Sequence, residues 1–324
     1  MAELSEFELI RRFFTHPTRH TQLGVGDDAA VVRVRRGMEL AVSTDMLLSG
    51  RHFFRDADPR GLGHKALAVN LSDMAAMGAT PRWATLSLAL PKAEAPWLRA
   101  FADGFMQLAR KHGVDLIGGD TTRGPLAICV QIMGEISVGQ ALRRAGARVG
   151  DDIWVSGHLG DAALALAALT KRIMLKPPEL ETAMRRLHAP APRVALGEAL
   201  RKIANSAIDV SDGLLADLGH ICERSRVAAV LEFERLPASA VMRRYLERRV
   251  ARAALLAGGD DYELCFSASP ARHRAILAIA RRIGLTLTRI GTVRRAVRGA
   301  PLVTVLALDG TPMNVKYGGF EHFR

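Results

Sequence analysis

Five short acidic segments carry the residues best suited to chemistry: GVGDDAA with Asp27 and Asp28, STD with Asp45, GGDT with Asp120, DVSDG with Asp209 and Asp212, and GGDDYE with Asp260 and Asp261. Solvated acids usually sit on helix faces beside Lys or Arg, whereas these stand beside glycine or hydroxyl residues. Glycine lets a backbone approach closely, and carboxylate oxygens suit a hard divalent cation, which commonly bridges one or two carboxylates to substrate phosphates. Asp and Gly also make ordinary turns, and that alone could account for any single segment. Five of them in a chain of formal net charge +12 form the signal. Asp73 adds a sixth place. It lies inside KALAVNLSDMAAMG, where Asp has poor helix propensity, and Asn70 three residues earlier shares its helical face. The plain alternative there is a helix face turned to water.

Two segments separate phosphate binding from cation binding. Gly24, Gly26 and Ala29 fit the G-x-G-x-x-A pattern of a dinucleotide loop, but Asp27 and Asp28 stand where the pyrophosphate would lie. One carboxylate about 4 Å from a phosphate charge is repelled by about 4 kcal/mol at an effective dielectric near 20. Cations between the two reverse the sign. Residues 15–21, with two His, a Pro and an Arg, also fail to supply the strand that should precede such a loop. In DVSDG, Asp209 and Ser211 share one strand face, and Asp212 precedes a helix opening at Gly213, whose free N–H groups would attract phosphate oxygens. An ordinary N-cap explains Ser211 and Asp212 equally well, but not Asp209.

The elements that must position these residues are legible as a mixed α/β chain. Ser5 and Glu8 form a capping box before Leu9, Ile10, Phe13 and Phe14. Residues 39–45 alternate as a strand that ends in polar residues. Asp58 and Pro59 open a helix that stops at Gly78. A strand over 84–90 ends at Pro91, and Pro96 starts a helix that Gly113 closes. VDLIGGD and LAICVQIMGEI complete the first half. The polar, glycine-punctuated run QALRRAGARVGDD separates two domains, 1–145 and 146–324. In the second, DIWVSGHLGDAALALAAL and IDVSDGLLADLGHI each read as strand, turn and helix, followed by YELCFSA, a helix near Arg272 to Arg282, and LTLTRIGTV.

Composition excludes several classes. With 324 residues and 49% apolar content the chain can build two cores. It has no apolar run of the ~18 residues that cross a bilayer and no signal-peptide pattern, so no membrane association and a cytoplasmic setting are expected. Cys129, Cys222 and Cys265 are widely spaced and fit neither a disulfide framework nor a zinc site. The positive charge raises nucleic-acid binding, yet the arginines are dispersed outside residues 243–252 and aromatics are 5%. A solvated basic exterior is the better reading, with no nucleic-acid partner.

GVGDDAA, STDMLLSGRHF, KALAVNLSDMAAMGA, LIGGDTTRGP, NSAIDVSDGLLADLGHI, GGDDYELCF and GGFEHF, in this order, resemble the thiamine-monophosphate kinases of the aminoimidazole-ribonucleotide-synthetase-like ATP-binding superfamily. The resemblance implies an α/β fold with mixed sheets and a two-domain, PurM-like architecture. Residues 1–145 would bind ATP and Mg²⁺ and pair sheets across a homodimer; residues 146–324 would complete the active site. It further implies that Asp28, Ser43, Thr44, Asp45, Asp73, Asp120, Asp209 and Asp212 hold several Mg²⁺ ions, and that Gly119, Asp120, Arg144 and Ser211 contact ATP. By the same resemblance His52, Asp260 and Phe320 receive thiamine monophosphate. Asp260 stands where the family usually has Glu, a longer arm. Phe320, with Tyr317 and Phe323 nearby, keeps the family's aromatic end.

The implied reaction is transfer of the ATP γ-phosphoryl group to thiamine monophosphate, giving thiamine diphosphate. Such transfers rest on positioning and charge neutralisation. A phosphate monoester is a dianion above a second pKa near ~6, so a direct in-line transfer needs no protein nucleophile and no general base. The alternative is a sister ATP-dependent synthetase of aminoimidazole-ribonucleotide or selenophosphate type, disfavoured by the aromatic end, by His52 and by the absence of an N-terminal reactive Cys.

Overall fold

A computed structural model of the chain describes residues 6–314. The chain divides into two compact units. The first takes the residues up to Met74 and Ala79–Gly139, the second Ala75–Gly78 and the residues from Gln140 on.

In the first unit, α1 (Glu6–Leu9) passes directly into a π-helical turn, Ile10–Phe14, which buries Phe13 and Phe14. The expected single packing helix is thus two short pieces, and Ser5 of its capping box lies outside the described residues. β1 (Thr21–Leu23) and β2 (Val31–Val32) pair as a small ribbon. β3 (Met38–Leu48), α2 (Pro59–Ala76), β4 (Thr80–Leu90), α3 (Ala95–His112), β5 (Asp115–Arg123) and β6 (Ala127–Ser137) follow. The four long strands form a mixed sheet in the order β3-β6-β4-β5, with β4 and β5 parallel and the other pairs antiparallel. Alternation along β4 and β6 buries Leu86, Leu88, Leu90, Ile128, Val130 and Ile132.

α2 is buried nearly all round: Leu67, Leu71 and Ala75 are joined by Lys65, Asn70 and Ser72, each no more than 3% exposed. Asp73 therefore does not sit on a helix surface facing water. α2 and α3 meet backbone to backbone at two glycines. A Cβ on Gly63 would lie 2.0 Å from the Phe101 carbonyl oxygen, and one on Gly104 would lie 1.9 Å from that of Arg60. Trp97 and Phe105 stack on either side of Phe101 along the same helix.

The second unit contains β7 (Asp152–Ser156), α4 (Asp161–Leu169), α5 (Pro177–His188), α6 (Val194–Leu200), β8 (Ser206–Val210), α7 (Leu214–Ser225), β9 (Val227–Glu232), α8 (Ala240–Tyr245), α9 (Arg249–Ala257), β10 (Glu263–Ala268), α10 (His273–Ile283), β11 (Leu287–Arg295) and β12 (Val303–Leu306). Its six-stranded sheet has the order β12-β9-β11-β7-β10-β8, antiparallel except for β12 with β9. β7, β8 and β10 are buried at every position, as strands covered on both faces must be. Ile153, Val155, Ile208, Val210 and Cys265 share one core with residues of α4, α7 and α9. On the other face Trp154 stacks on Phe266 and meets His273 of α10. The chain is thus α/β with mixed sheets, as its patterning indicates. Among the described residues no helix is long and apolar enough to cross a membrane.

Candidate active site

In the first unit the neighbours Ser43 and Asp45 project from the same face of β3, because strand side chains alternate. Ser43 Oγ donates to Asp73 Oδ2, so the strand and α2 bring Ser43, Asp45 and Asp73 together. Burial, and then the charge of Asp73, push the Asp45 carboxyl up to about 7. Thr44 projects to the opposite, exposed face and its side chain does not join this group. β3 also runs three residues beyond Asp45, so the polar residues lie within the strand rather than at its end. Asp120 is likewise three residues short of the end of β5.

β3 and β5 are the two edges of the sheet, three strand spacings or about 14 Å apart. Asp120, exposed and opposite Ser87, is therefore across the sheet from Asp45. Its neighbour Gly119 has φ +148°, and a Cβ there would meet the Leu86 carbonyl oxygen at 1.8 Å. Only glycine fits this approach. Asp28 lies exposed in the connection from β1 to β2. Residues just before that ribbon are anchored to the start of β5, where Asp115 accepts the N–H groups of Arg19 and His20 and the Thr21 hydroxyl. His52 is pinned to the end of β3: its Nδ1 accepts the Leu48 N–H at 2.9 Å, which leaves the ring proton on Nε2.

In the second unit, β8 and β10 pair so that Asp209 lies opposite Leu264. The Asp260 N–H donates to the Ser211 carbonyl, and that of Tyr262 to Val210, at 2.9 and 2.8 Å. DVSDG and GGDDYE are therefore one structure, with Asp209, Ser211, Asp212 and Asp260 gathered at it. Asp260 has φ +68°, a conformation that Asp tolerates better than most residues. Its Oδ1 accepts the Tyr262 hydroxyl at 3.0 Å. Arg144 is placed elsewhere. Its carbonyl accepts the Ser225 hydroxyl at 3.0 Å, at the C-terminal end of α7, about 16 Å along the helix from the Ser211 end. Phe320, with Tyr317 and Phe323, lies outside the described residues.

The helix ends differ from expectation. The N–H groups of Ser211, Asp212 and Gly213 are not free for phosphate: all three donate to Asp217 Oδ2, at 3.0, 3.1 and 3.0 Å. Gly213, the N-cap of α7, has no side-chain cap, so neither Ser211 nor Asp212 plays that part. Burial and the Asp212 charge raise the Asp217 carboxyl to about 7, against the three amides that favour its ionised form. At α4 the Gly160 N–H donates to both oxygens of Asp261, at 2.9 and 2.7 Å. The SGHLGDA loop is thus a plain strand-to-helix turn, and Asp261 clamps it. Glu263 is structural too: its buried carboxylate accepts the Ser156 hydroxyl at 2.5 Å and the Arg193 guanidinium at 2.6 Å.

Residues 26–136 match the family described as AIR synthase related protein, N-terminal domain, and residues 148–303 match its C-terminal domain. A thiamine-monophosphate kinase of Salmonella typhimurium (strain LT2) is 43% identical over 323 residues, covering 98% of each chain. The chain belongs to the thiamine-monophosphate kinase family. Among solved structures, the thiamine-monophosphate kinase from Stenotrophomonas maltophilia K279a is similar with a TM-score of 0.86 and 48% identity, covering 95% of this chain and 97% of that one. AaThiL complexed with AMPPCP and TMP is similar with a TM-score of 0.76 and 31% identity, over 98% and 97%.

For a member of this family, the donor set fits a hard cation. Ser43, Asp45 and Asp73 offer only oxygen, and the two carboxylates repel one another when no positive charge lies between them. Asn70, one turn before Asp73, has a buried Oδ1 without a hydrogen-bond partner, an acceptor that a hydrated cation would satisfy. Among the described residues no three His, Cys, Asp or Glu side chains converge to enclose an ion. Sequence reasoning missed Asp217 and Asp115. The one available signal for Asp217 was an acid in the first turn of a helix opened by glycine.

Proposed function

We propose that the protein transfers the γ-phosphoryl group of ATP to thiamine monophosphate, giving thiamine diphosphate, as a cytoplasmic homodimer using several Mg²⁺ ions. The observation that carries the reading is the end-to-end similarity to AaThiL complexed with AMPPCP and TMP. The two gathered carboxylate groups support it. Asp45 and Asp73 with Ser43 would hold metal in the first unit and Asp209 with Asp212 in the second; Asp28 and Asp120, and Thr44 despite its side chain facing away, are assigned to metal from the family resemblance alone. When bound, divalent cations supply the charge neutralisation that two polyanionic substrates require. Gly119, Asp120, Ser211 and Arg144 are assigned to the nucleotide from the family resemblance. Asp260 offers a negative charge to the cationic ring of thiamine monophosphate, with His52 and Phe320 as its other contacts. No side chain takes the phosphoryl group, so transfer is direct.

Homodimer formation is supported by β3, an edge strand whose alternate residues Leu40, Val42, Met46 and Leu48 are 40–56% exposed. An uncovered apolar stripe on a sheet edge calls for a partner. The deciding experiment supplies ATP, Mg²⁺ and thiamine monophosphate and follows thiamine diphosphate by chromatography. Product that disappears with a chelator is expected. ATP turnover driven by another small molecule, with no thiamine diphosphate, would replace this reading with a sister synthetase.

A further inference from the structure

We infer that Asp217 is a positioning residue: a built-in carboxyl acceptor that fixes the turn bearing Ser211 and Asp212 before any nucleotide arrives. The inference rests on the kinase reading only in taking Asp209 and Asp212 as cation holders. Asp217 is 3% exposed, and one of its oxygens receives three successive main-chain amides, Ser211 to Gly213. Its own N–H donates to the Gly213 carbonyl at 3.0 Å, so one residue closes the turn with both side chain and backbone. The same turn holds the Asp260 N–H through the Ser211 carbonyl.

Successive amides converging on one oxygen form a concavity of the kind that takes phosphate in many proteins. Here the protein's own carboxylate fills it. Two consequences follow. The backbone that displays Asp209, Ser211 and Asp212 is set in advance, so no ordering is required when substrates bind. These three amides are also closed to phosphate, which leaves cations held on Asp209 and Asp212 to meet nucleotide charge beside them.

The test uses the full chain and has two readouts. Hydrogen exchange of the nucleotide-free wild type should show residues 211–213 strongly protected. Exchange as fast as in an unstructured loop, slowed only by adding an ATP analogue, would overturn the inference. Asp217→Asn keeps the size and replaces the carboxyl acceptor with a weaker amide oxygen. It should speed exchange at these amides and weaken Mn²⁺ binding to the nucleotide-free protein, followed by electron paramagnetic resonance, about tenfold, raising KM for metal-bound ATP more than KM for thiamine monophosphate. Mn²⁺ affinity within twofold of wild type, with only the melting temperature lowered, would make Asp217 merely structural. Should the variant not fold, the wild-type exchange pattern decides alone. Hydrogen exchange and Mn²⁺ binding use no thiamine monophosphate, so loss of the kinase reading, which would remove only the KM comparison, and loss of this inference give different results.

Discussion

Asp45 and Asp73 face each other across a strand and a helix, and the repulsion between their charges sets what substitution should do. Asp73→Asn removes one of two like charges. It should leave the melting temperature unchanged or higher by scanning fluorimetry, while kcat/KM falls at least about a hundredfold, near 3 kcal/mol; activity retained within tenfold would remove Asp73 from the site. Asp260→Asn should raise KM for thiamine monophosphate with a smaller change in KM for ATP, measured in a coupled assay, because it withdraws charge from the substrate end only. Residue types and spacing made Asp45, Asp73, Asp209 and Asp212 legible, since several acids beside glycines and hydroxyls in a basic chain have few uses. They could not divide Asp260 from Asp261, adjacent and identical in kind. Only the fold shows that Asp261 clamps the Gly160 amide while Asp260 remains at the DVSDG turn.

At the scale of elements, Gly119 is where β4 and β5 touch through a bare backbone. Gly119→Ala places a Cβ 1.8 Å from the Leu86 carbonyl and should cost about 3 kcal/mol, read as a lower urea midpoint. An unchanged midpoint would mean that β5 shifts freely. α3 carries a pH dependence. Burial, then Lys111 and His64, lower His112 to about 4, against about 6.5 in an unfolded chain. Between these values the unfolded chain binds a proton that the folded one refuses, so stability is complete above pH 6.5 and is lost as pH falls toward 4. Urea midpoints across that range should slope accordingly, and His112→Phe should flatten them. Strands and long helices were legible from period and from Pro or Gly boundaries. The π-helical turn was not, because its cause is the burial of Phe13 and Phe14 against the unit. Nor was the full length of β3, whose polar STD looks like a terminus until pairing with β6 carries the strand to Leu48.

For the molecule as a whole, the charge of +12 is largely a property of its exterior, and even the dense run 243–252 is partly engaged: Arg244 pairs with Glu179 at 2.6 Å, and Arg243 donates to the Ala238 carbonyl. Two mixed α/β halves were legible from the order of elements, but the surface proposed for a dimer was not, since an exposed stripe on β3 looks in sequence like any half-buried strand. If the proposed dimer forms through β3, the wild type should sediment as a dimer and Leu40→Lys with Val42→Lys as a monomer by analytical ultracentrifugation, with helix content unchanged; a dimer that persists would move the interface elsewhere. The two helix turns filled by Asp217 and Asp261 also impose an order of events. A nucleotide that arrives stripped of its metal meets a carboxyl group on the amides of both turns, so uncomplexed ATP should be a bystander. Raising ATP far above a fixed Mg²⁺ concentration should then slow turnover only by sequestering the metal, and restoring free Mg²⁺ should return the full rate.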